Sequence, residues 1–405
     1  MNCKKNESDA AAAGRPAAVR LPQLPCASAE IMETHTPARV LSVLHVNTGR
    51  AWRGGERQTL LCAARLSPFD FSSCIAAPAV SPLIERARKA GITTARFSPR
   101  GGLDIFAALA LRRIIKNVRA DIVHAHTAHA HTYAALACLG LRRTALIATR
   151  RVDSPLSRNP LSRLKYGRCD AVIAISENIR RACIDAGVPP AKVVRIYSGI
   201  DLSVPRQCGD RSAVLAVPPG HTTSVIAGTV AALTPEKDIA TLVDAAAIAL
   251  RSRGDILFYI VGDGPQRRML AEQARRLGID KNVVFTGFRD DAEQCIAAFD
   301  IFVLPSKSEG LGSSVLDAMA SGKAIAASRA GGVPEMIDHG VNGLLFAPGD
   351  AAGCAACIVR LAQEPLLRRA LGAAALKRVV VFDIRKTAAE IGRLYRRAAT
   401  AKAAA

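Results

Sequence analysis

The sequence predicts an α/β protein of two doubly wound domains that face each other across a cleft. Three observations predict it. Short apolar runs, each too short for a buried helix and each followed by a helix-compatible segment, recur from Arg39 onward. Parallel strands with crossover helices are the economical assignment for that rhythm. The rhythm restarts after residue 220, and between the halves lies a stretch of turn formers with little apolar periodicity. With 405 residues, half of them apolar, the chain can bury two cores of ordinary size.

In chain order, residues 1–38 hold Lys4 and Lys5 but no apolar block after them, so they fail as a signal peptide and read as a disordered extension. Residence in the cytoplasm is the expectation that follows. The first domain, 39–203, has predicted strands at 40–46, 73–77, 121–126, 145–149 and 171–176. A linker is expected over 204–222, where Pro205, Gly209, Pro218, Pro219 and Gly220 cluster. The second domain, 223–383, has predicted strands at 224–228, 256–262, 283–287, 301–304 and 324–327. A basic tail with Arg385, Lys386, Arg393, Arg396 and Arg397 follows over 384–405 and reads as a helix. Ligands of such folds bind at the carboxyl ends of the strands, so the site belongs there.

The net charge of +21 is uneven. Residues 38–210 hold 27 Lys plus Arg against 11 Asp plus Glu, while residues 211–405 hold 24 against 19. The first half therefore carries the basic face. Aromatic residues are few and are not interleaved with the basic ones, which argues against nucleic acid. An anionic membrane surface or a phosphorylated acceptor fits the charge better. No run reaches the apolar length of a membrane span.

Residues 105–119 have apolar side chains at 105, 106, 109, 114, 115 and 118 and basic ones at 112, 113, 116 and 119. That pattern suits a helix lying on anionic lipid, but the preferred reading is a crossover helix with its apolar side on the sheet and membrane contact through the summed basic field. The eleven cysteines are scattered, and Cys354 and Cys357, the one close pair, read as small buried helix residues.

The most informative stretch is 302–317, an apolar run ending in a Gly-rich elbow between Glu309 and Asp317. Gly310 and Gly312 let a ligand approach the backbone, and free amides at the start of the next helix suit phosphate oxygens and sugar hydroxyls. An ordinary turn with a solvated Glu and a dipole-favoured Asp is the alternative. Other loops after strands add parts of one pocket. Lys237 opens a helix where its ammonium can meet a diphosphate, while Gly262, Gly264, Gly287, Gly331 and Gly332 leave turns without bulky side chains.

Taken together, residues from about 40 to 350 resemble the retaining family-4 glycosyltransferases of GT-B fold, which pair two Rossmann-like domains. The matching stretches are Gly54-Gly55-Glu56, the run from Asp121 to His126, Val172 to Glu177, Ile196 to Asp201, Leu233 to Lys237, Val261 to Pro265, Pro305 to Gly312 and Gly331 to Glu335. The resemblance implies transfer of a sugar from a nucleotide diphosphate-sugar to a hydroxyl, with retention and without a required metal or other cofactor. It implies a donor site of Gly55, Lys237, Gly262, Gly287, Phe288, Glu309, Gly310, Leu311, Gly312 and Asp317. Lys237 would hold the diphosphate, Glu309 the transferred sugar and Asp317 the ribose. His126 and Glu309 would flank the reacting centre, with the leaving phosphate taking the acceptor proton. The tail helix would fold back across the first domain.

Two positions depart from the family pattern. Ala232 stands where Arg is usual, and Asp317 where Glu is usual. Arg53, Arg150 or Arg151 are the candidates to supply the missing cation, and the same three lie on the acceptor side. Arg150 and Arg151 suit an acceptor phosphate or a salt-linked turn, and Trp52 suits packing or an acceptor cover. The run His124, His126, His129, His131 raises a zinc site, but His124 and His126 close a strand while His129 and His131, two apart at the start of the next helix, point in different directions, and no metal is expected. The expected role is synthesis of a cell-surface polysaccharide, lipopolysaccharide or glycolipid at the inner membrane face, with a glycan or lipid-linked acceptor. A silent nucleotide-sugar or lipid-binding subunit and a sugar-nucleotide epimerase of the same fold are the alternatives. Donor base and sugar, acceptor, linkage and oligomeric state are not legible.

Overall fold

A computed structural model describes residues 39–101, 104–153, 156, 160–206, 208–217 and 224–404. The extension 1–38 and the linker residues 207 and 218–222 lie outside the described residues. The first half alternates β1 (Leu41–Val46), α1 (Gly54–Leu66), β2 (Phe71–Ala77), α2 (Pro82–Lys89), β3 (Thr93–Arg96), α3 (Ile105–Asn117), β4 (Ile122–Ala125), α4 (Ala128–Ala137), β5 (Ala145–Arg150), α5 (Pro160–Gly167), β6 (Ala171–Ala174), α6 (Glu177–Asp185) and β7 (Val193–Arg195). A short α7 (Arg211–Leu215) falls between the halves. The second half runs β8 (Val225–Val230), α8 (Ile239–Ser252), β9 (Ile256–Val261), α9 (Arg267–Arg276), β10 (Val283–Gly287), α10 (Ala292–Ala298), β11 (Ile301–Leu304), α11 (Ser313–Ala320), β12 (Ala324–Ser328), β13 (Leu344–Phe346), α12 (Ala351–Gln363), α13 (Pro365–Arg378) and α14 (Ile384–Ala404).

Both sheets are parallel. The first has the order β3-β2-β1-β4-β5-β6-β7 and the second β10-β9-β8-β11-β12-β13. Each order reverses once, between β1 and β4 and between β8 and β11. Those two gaps are the topological switch points, where loops diverge and leave a crevice. Helices start where short polar side chains take up free amides. Asp104 accepts from the Ala107 amide (2.9 Å), Thr127 from Ala130 (3.2 Å), Ser176 from Ile179 (3.2 Å) and Asp350 from Gly353 (2.8 Å).

The long α14 lies on α1, and its Tyr395 is fully buried, edge-on to Phe71 with its hydroxyl 2.5 Å from His124 Nδ1. The core of the first sheet is thus completed by Ile391, Leu394 and Tyr395, near the end of the chain.

One element corrects the sequence reading. The apolar residues of 105–119 do not form one face: Ala107, Ala108, Leu111 and Ile115 are buried, whereas Ile105, Phe106 and Leu109 are exposed. At about 100° per residue, 105, 106 and 109 fall on the half of the helix opposite 111, 115 and 118. Small alanines complete the inner face, so the larger apolar residues at the amino-terminal end are left outside.

Candidate functional site

The second switch point brings the two named charges together. Because β8 and β11 are neighbours, the turn after β8 and the elbow after β11 lie side by side, and the Glu236 carbonyl accepts from the Lys307 amide at 2.9 Å. Lys237 Nζ then sits 2.6 Å from Glu309 Oε1, which also accepts from Ser306 Oγ at 2.8 Å. Glu309 is buried and Lys237 partly open, so the pair forms a charged wall with one side available to a ligand. Lys307 pairs with Asp238 at 3.0 Å and bolsters the same turn.

The glycines around it permit close approach. A Cβ on Gly262, at φ +137, would lie 1.9 Å from the Ala231 carbonyl oxygen. One on Gly310 would lie 2.0 Å from the Arg151 carbonyl oxygen, so this glycine lets the elbow meet the first domain. Gly262 donates to the Gly287 carbonyl at 2.9 Å, which joins the β9 and β10 loops. Leu311 is buried, Gly312 caps α11 at its amino end, and Phe288 is exposed at the loop after β10.

Asp317 is buried within α11, but its carboxylate is already engaged. Arg57 of α1 grips it through two bonds of 2.6 and 3.0 Å and also reaches Glu293 at 2.6 Å. Burial works against the Arg57 charge, yet Asp317 outweighs it and holds the guanidinium pKa above its ordinary value. Arg206, buried just before α7, approaches Asp317 at 3.8 Å. Neither arginine was singled out from the sequence. Arg57 is one residue past the Gly54-Gly55-Glu56 match, and nothing local points to a partner 260 residues away.

The first domain contributes α1, whose amino terminus meets that of α11. Gly54 faces Ser313, and Gly55 faces the Arg151 side chain. Two positive helix ends therefore converge beside Lys237 and Glu309, a setting suited to an anion. Of the cation candidates, Arg53 is exposed at the start of α1. Burial pushes the Glu236 carboxyl up, but backbone and Thr234 hydrogen bonds and the charges of Lys237 and Arg53 hold it below its ordinary value, so Arg53 lies near the turn that carries Lys237. Arg151 is turned into the first domain, donating to Ser198 Oγ at 3.1 Å and lying 3.3 Å from His126 Nδ1, and burial lowers its pKa to about 10. Arg150, on the opposite face of β5, lies by Tyr166.

His126 is buried at the first switch point with Nε2 3.0 Å from His45 Nδ1. Burial first, then the nearby His124, His45 and Arg151, holds its pKa well below the ordinary value, so the ring is neutral. The four histidines of the run do not meet at one point: His124 and His126 lie with ring centroids 3.9 Å apart, whereas His129 is exposed and His131 is buried against Cys169 at 3.0 Å. A different group, His45, Cys62 and His124, gathers donor atoms within 4.8 Å of one another. Both His124 nitrogens are hydrogen-bonded, to Tyr395 and to Thr149 at 2.6 Å, so the cluster is satisfied by packing partners. Trp52 packs beneath Arg86, 4.4 Å from the ring centroid.

A further contact spans the cleft. Glu335 accepts from the amides of Glu177 at 2.8 Å and Asn178 at 3.1 Å, so a carboxylate of the second domain caps α6 of the first.

The fold is that of the solved HepE of Anabaena in complex with UDP-glucose, at a TM-score of 0.77 and 24% identity over 87% of this chain and 99% of that one. Among curated proteins the chain is 38% identical over 136 residues to sulfoquinovosyl transferase SQD2 of Arabidopsis thaliana, covering 32% of this chain and 26% of the relative. It is 36% identical over 125 residues to lipopolysaccharide core biosynthesis glycosyltransferase LpsD of Rhizobium meliloti (strain 1021), covering 31% and 36%. The matched segments thus span between a quarter and two fifths of these relatives. The model of glycosyltransferase family 4 matches residues 52–204 and that of the group 1 glycosyl transferases residues 224–364, one in each domain. With both halves matched and the two-sheet architecture shared, the chain belongs to the family-4 glycosyltransferases of GT-B fold.

Proposed function

We propose that the chain moves a sugar from a nucleotide diphosphate-sugar to a hydroxyl acceptor with retention and without a metal, in the synthesis of a surface polysaccharide, lipopolysaccharide or glycolipid. The observation that carries this reading is the 2.6 Å pair of Lys237 and Glu309 at the second switch point, beneath two converging helix amino termini. In this reading the diphosphate lies against Lys237, Arg53 and the helix ends, and the sugar hydroxyls against Glu309. Charge building on the leaving diphosphate meets fixed positive groups, which lowers the barrier without a protein nucleophile. The ribose displaces Arg57 from Asp317. His126, neutral and buried, holds the reacting face of the first domain through His45 and Arg151. The UDP-glucose bound by HepE supports a nucleotide-sugar donor, and the lipopolysaccharide core biosynthesis of LpsD supports a lipopolysaccharide or related acceptor.

The test is a panel of UDP-, GDP- and ADP-sugars read by thermal stabilisation and by donor hydrolysis in the presence of EDTA. One donor class is expected to raise the melting temperature and be turned over, with the anomeric configuration kept. If no donor does either, the reading fails.

A further inference from the structure

We propose that the outward half of α3, with the end of α4 beside its carboxyl-terminal part, docks on an anionic lipid bilayer. Phe106 is 84% exposed, Ile105 66% and Leu109 52%, on the half of α3 that faces away from the sheet. The same half carries Arg113 and Lys116, both exposed. Arg112 donates to the Ala137 and Leu139 carbonyls, which fixes the end of α4 against this helix. There Leu136 and Leu139 are exposed, and Arg142 and Arg143 follow, also exposed. Asp104, the acidic group at the start of α3, is engaged by the Ala107 and Arg100 amides.

The chemistry selects the occupant. Large apolar tips ringed by guanidinium and ammonium groups match a surface with acyl chains below and phosphates above. A second copy would bring the same positive face against this one. A nucleic acid would match the charge but leave Phe106, Ile105 and Leu109 without an apolar partner. Docked this way, the basic first domain faces the lipid and the acceptor enters from the bilayer side. This surface rests on the reading of a membrane-side acceptor, yet it is tested apart from donor chemistry.

The experiment is co-sedimentation of the full chain with phosphatidylcholine vesicles, with and without phosphatidylglycerol, over a range of salt. Binding is expected only with phosphatidylglycerol and weakens as salt rises. Phe106→Asp with Leu109→Asp is expected to cut vesicle affinity at least tenfold, and Arg113→Glu with Lys116→Glu by about fivefold or more for each basic residue lost. Melting temperature and donor-induced stabilisation stay at the parent values in both. The proposal is overturned if the parent ignores anionic vesicles, if it binds neutral vesicles equally well, or if either double variant binds as the parent does. It is overturned equally if Phe106→Asp with Leu109→Asp abolishes a dimer or nucleic-acid binding and leaves vesicle binding untouched. Vesicle binding without any donor response would sink the transferase reading and leave this surface standing.

Discussion

Replacing Lys237 by Met removes the ammonium that lies 2.6 Å from Glu309. The carboxylate left behind is 6% exposed against 26% for the lysine, and Ser306 is its remaining side-chain partner. Stripping one member from a buried pair costs about 3–5 kcal/mol, because an uncompensated charge stays out of water. The lysine is a quarter open, which puts the expected loss at the bottom of that range, about 3 kcal/mol. Adding Glu309→Gln removes the stranded charge while keeping its shape, and the double variant should return to within about 1 kcal/mol of the parent. Urea unfolding of the four proteins gives the coupling directly, expected at about 2 kcal/mol or more. Donor-induced stabilisation should vanish in all three variants, including the stable double one. A single-variant loss under about 1 kcal/mol, or a double variant no more stable than Lys237→Met, would refute the buried-pair argument.

Three further outcomes are expected. Burial holds His45, His124 and His126 well below the ordinary 6.5, His45 to about 3; the unfolded chain therefore takes up protons that the folded one refuses, so stability is complete above about pH 6.5 and declines as pH falls from there toward about 3, a slope read in urea midpoints and lessened by His45→Asn. Gly262→Ala forces a Cβ to 1.9 Å from a carbonyl at φ +137 and should cost about 3 kcal/mol or more, whereas Gly91→Ala, at φ +71 in open space, should cost about 1 kcal/mol, both read by thermal unfolding. Ala232→Arg adds a charged hydrogen bond to the diphosphate worth about 1.5 kcal/mol, so donor affinity measured by calorimetry should rise roughly tenfold, and activity appearing only with Ala232→Arg and Asp317→Glu together would favour the silent-subunit alternative.

The strands written in apolar residues were legible, and three of the four at the sheet margins were not. Strands were expected at the ten positions now occupied by β1, β2, β4, β5, β6, β8, β9, β10, β11 and β12. The three not foreseen, β3, β7 and β13, are all edge strands. Thr93-Thr-Ala-Arg96 is half exposed and mostly polar, and the other two have three residues each, so neither pattern nor length marks them. Lys237 and Glu309 could be paired on paper because both follow strands that a doubly wound order sets side by side. The Arg57 grip on Asp317, the approach of Arg206 and the Glu335 cap on α6 join residues whose partners lie in another domain or linker, and periodicity carries no word of that. Residues 105–119 misled for a simpler reason: counting apolar residues along a helix does not say on which side of it each one stands.

The burial of Tyr395 in the first sheet's core sets an order on biogenesis. A ribosome adding about 5–20 residues each second will have released the last strand of the first domain roughly 10–40 s before that tyrosine emerges. During the wait His124 has no phenol to bond, and the hollow between α1 and β5 stands open to chaperones or to a neighbouring nascent chain. Maturation of the amino-terminal lobe is therefore a late event, gated by synthesis of the far end of the polypeptide, and a nonsense codon before position 395 would injure the lobe that was made first.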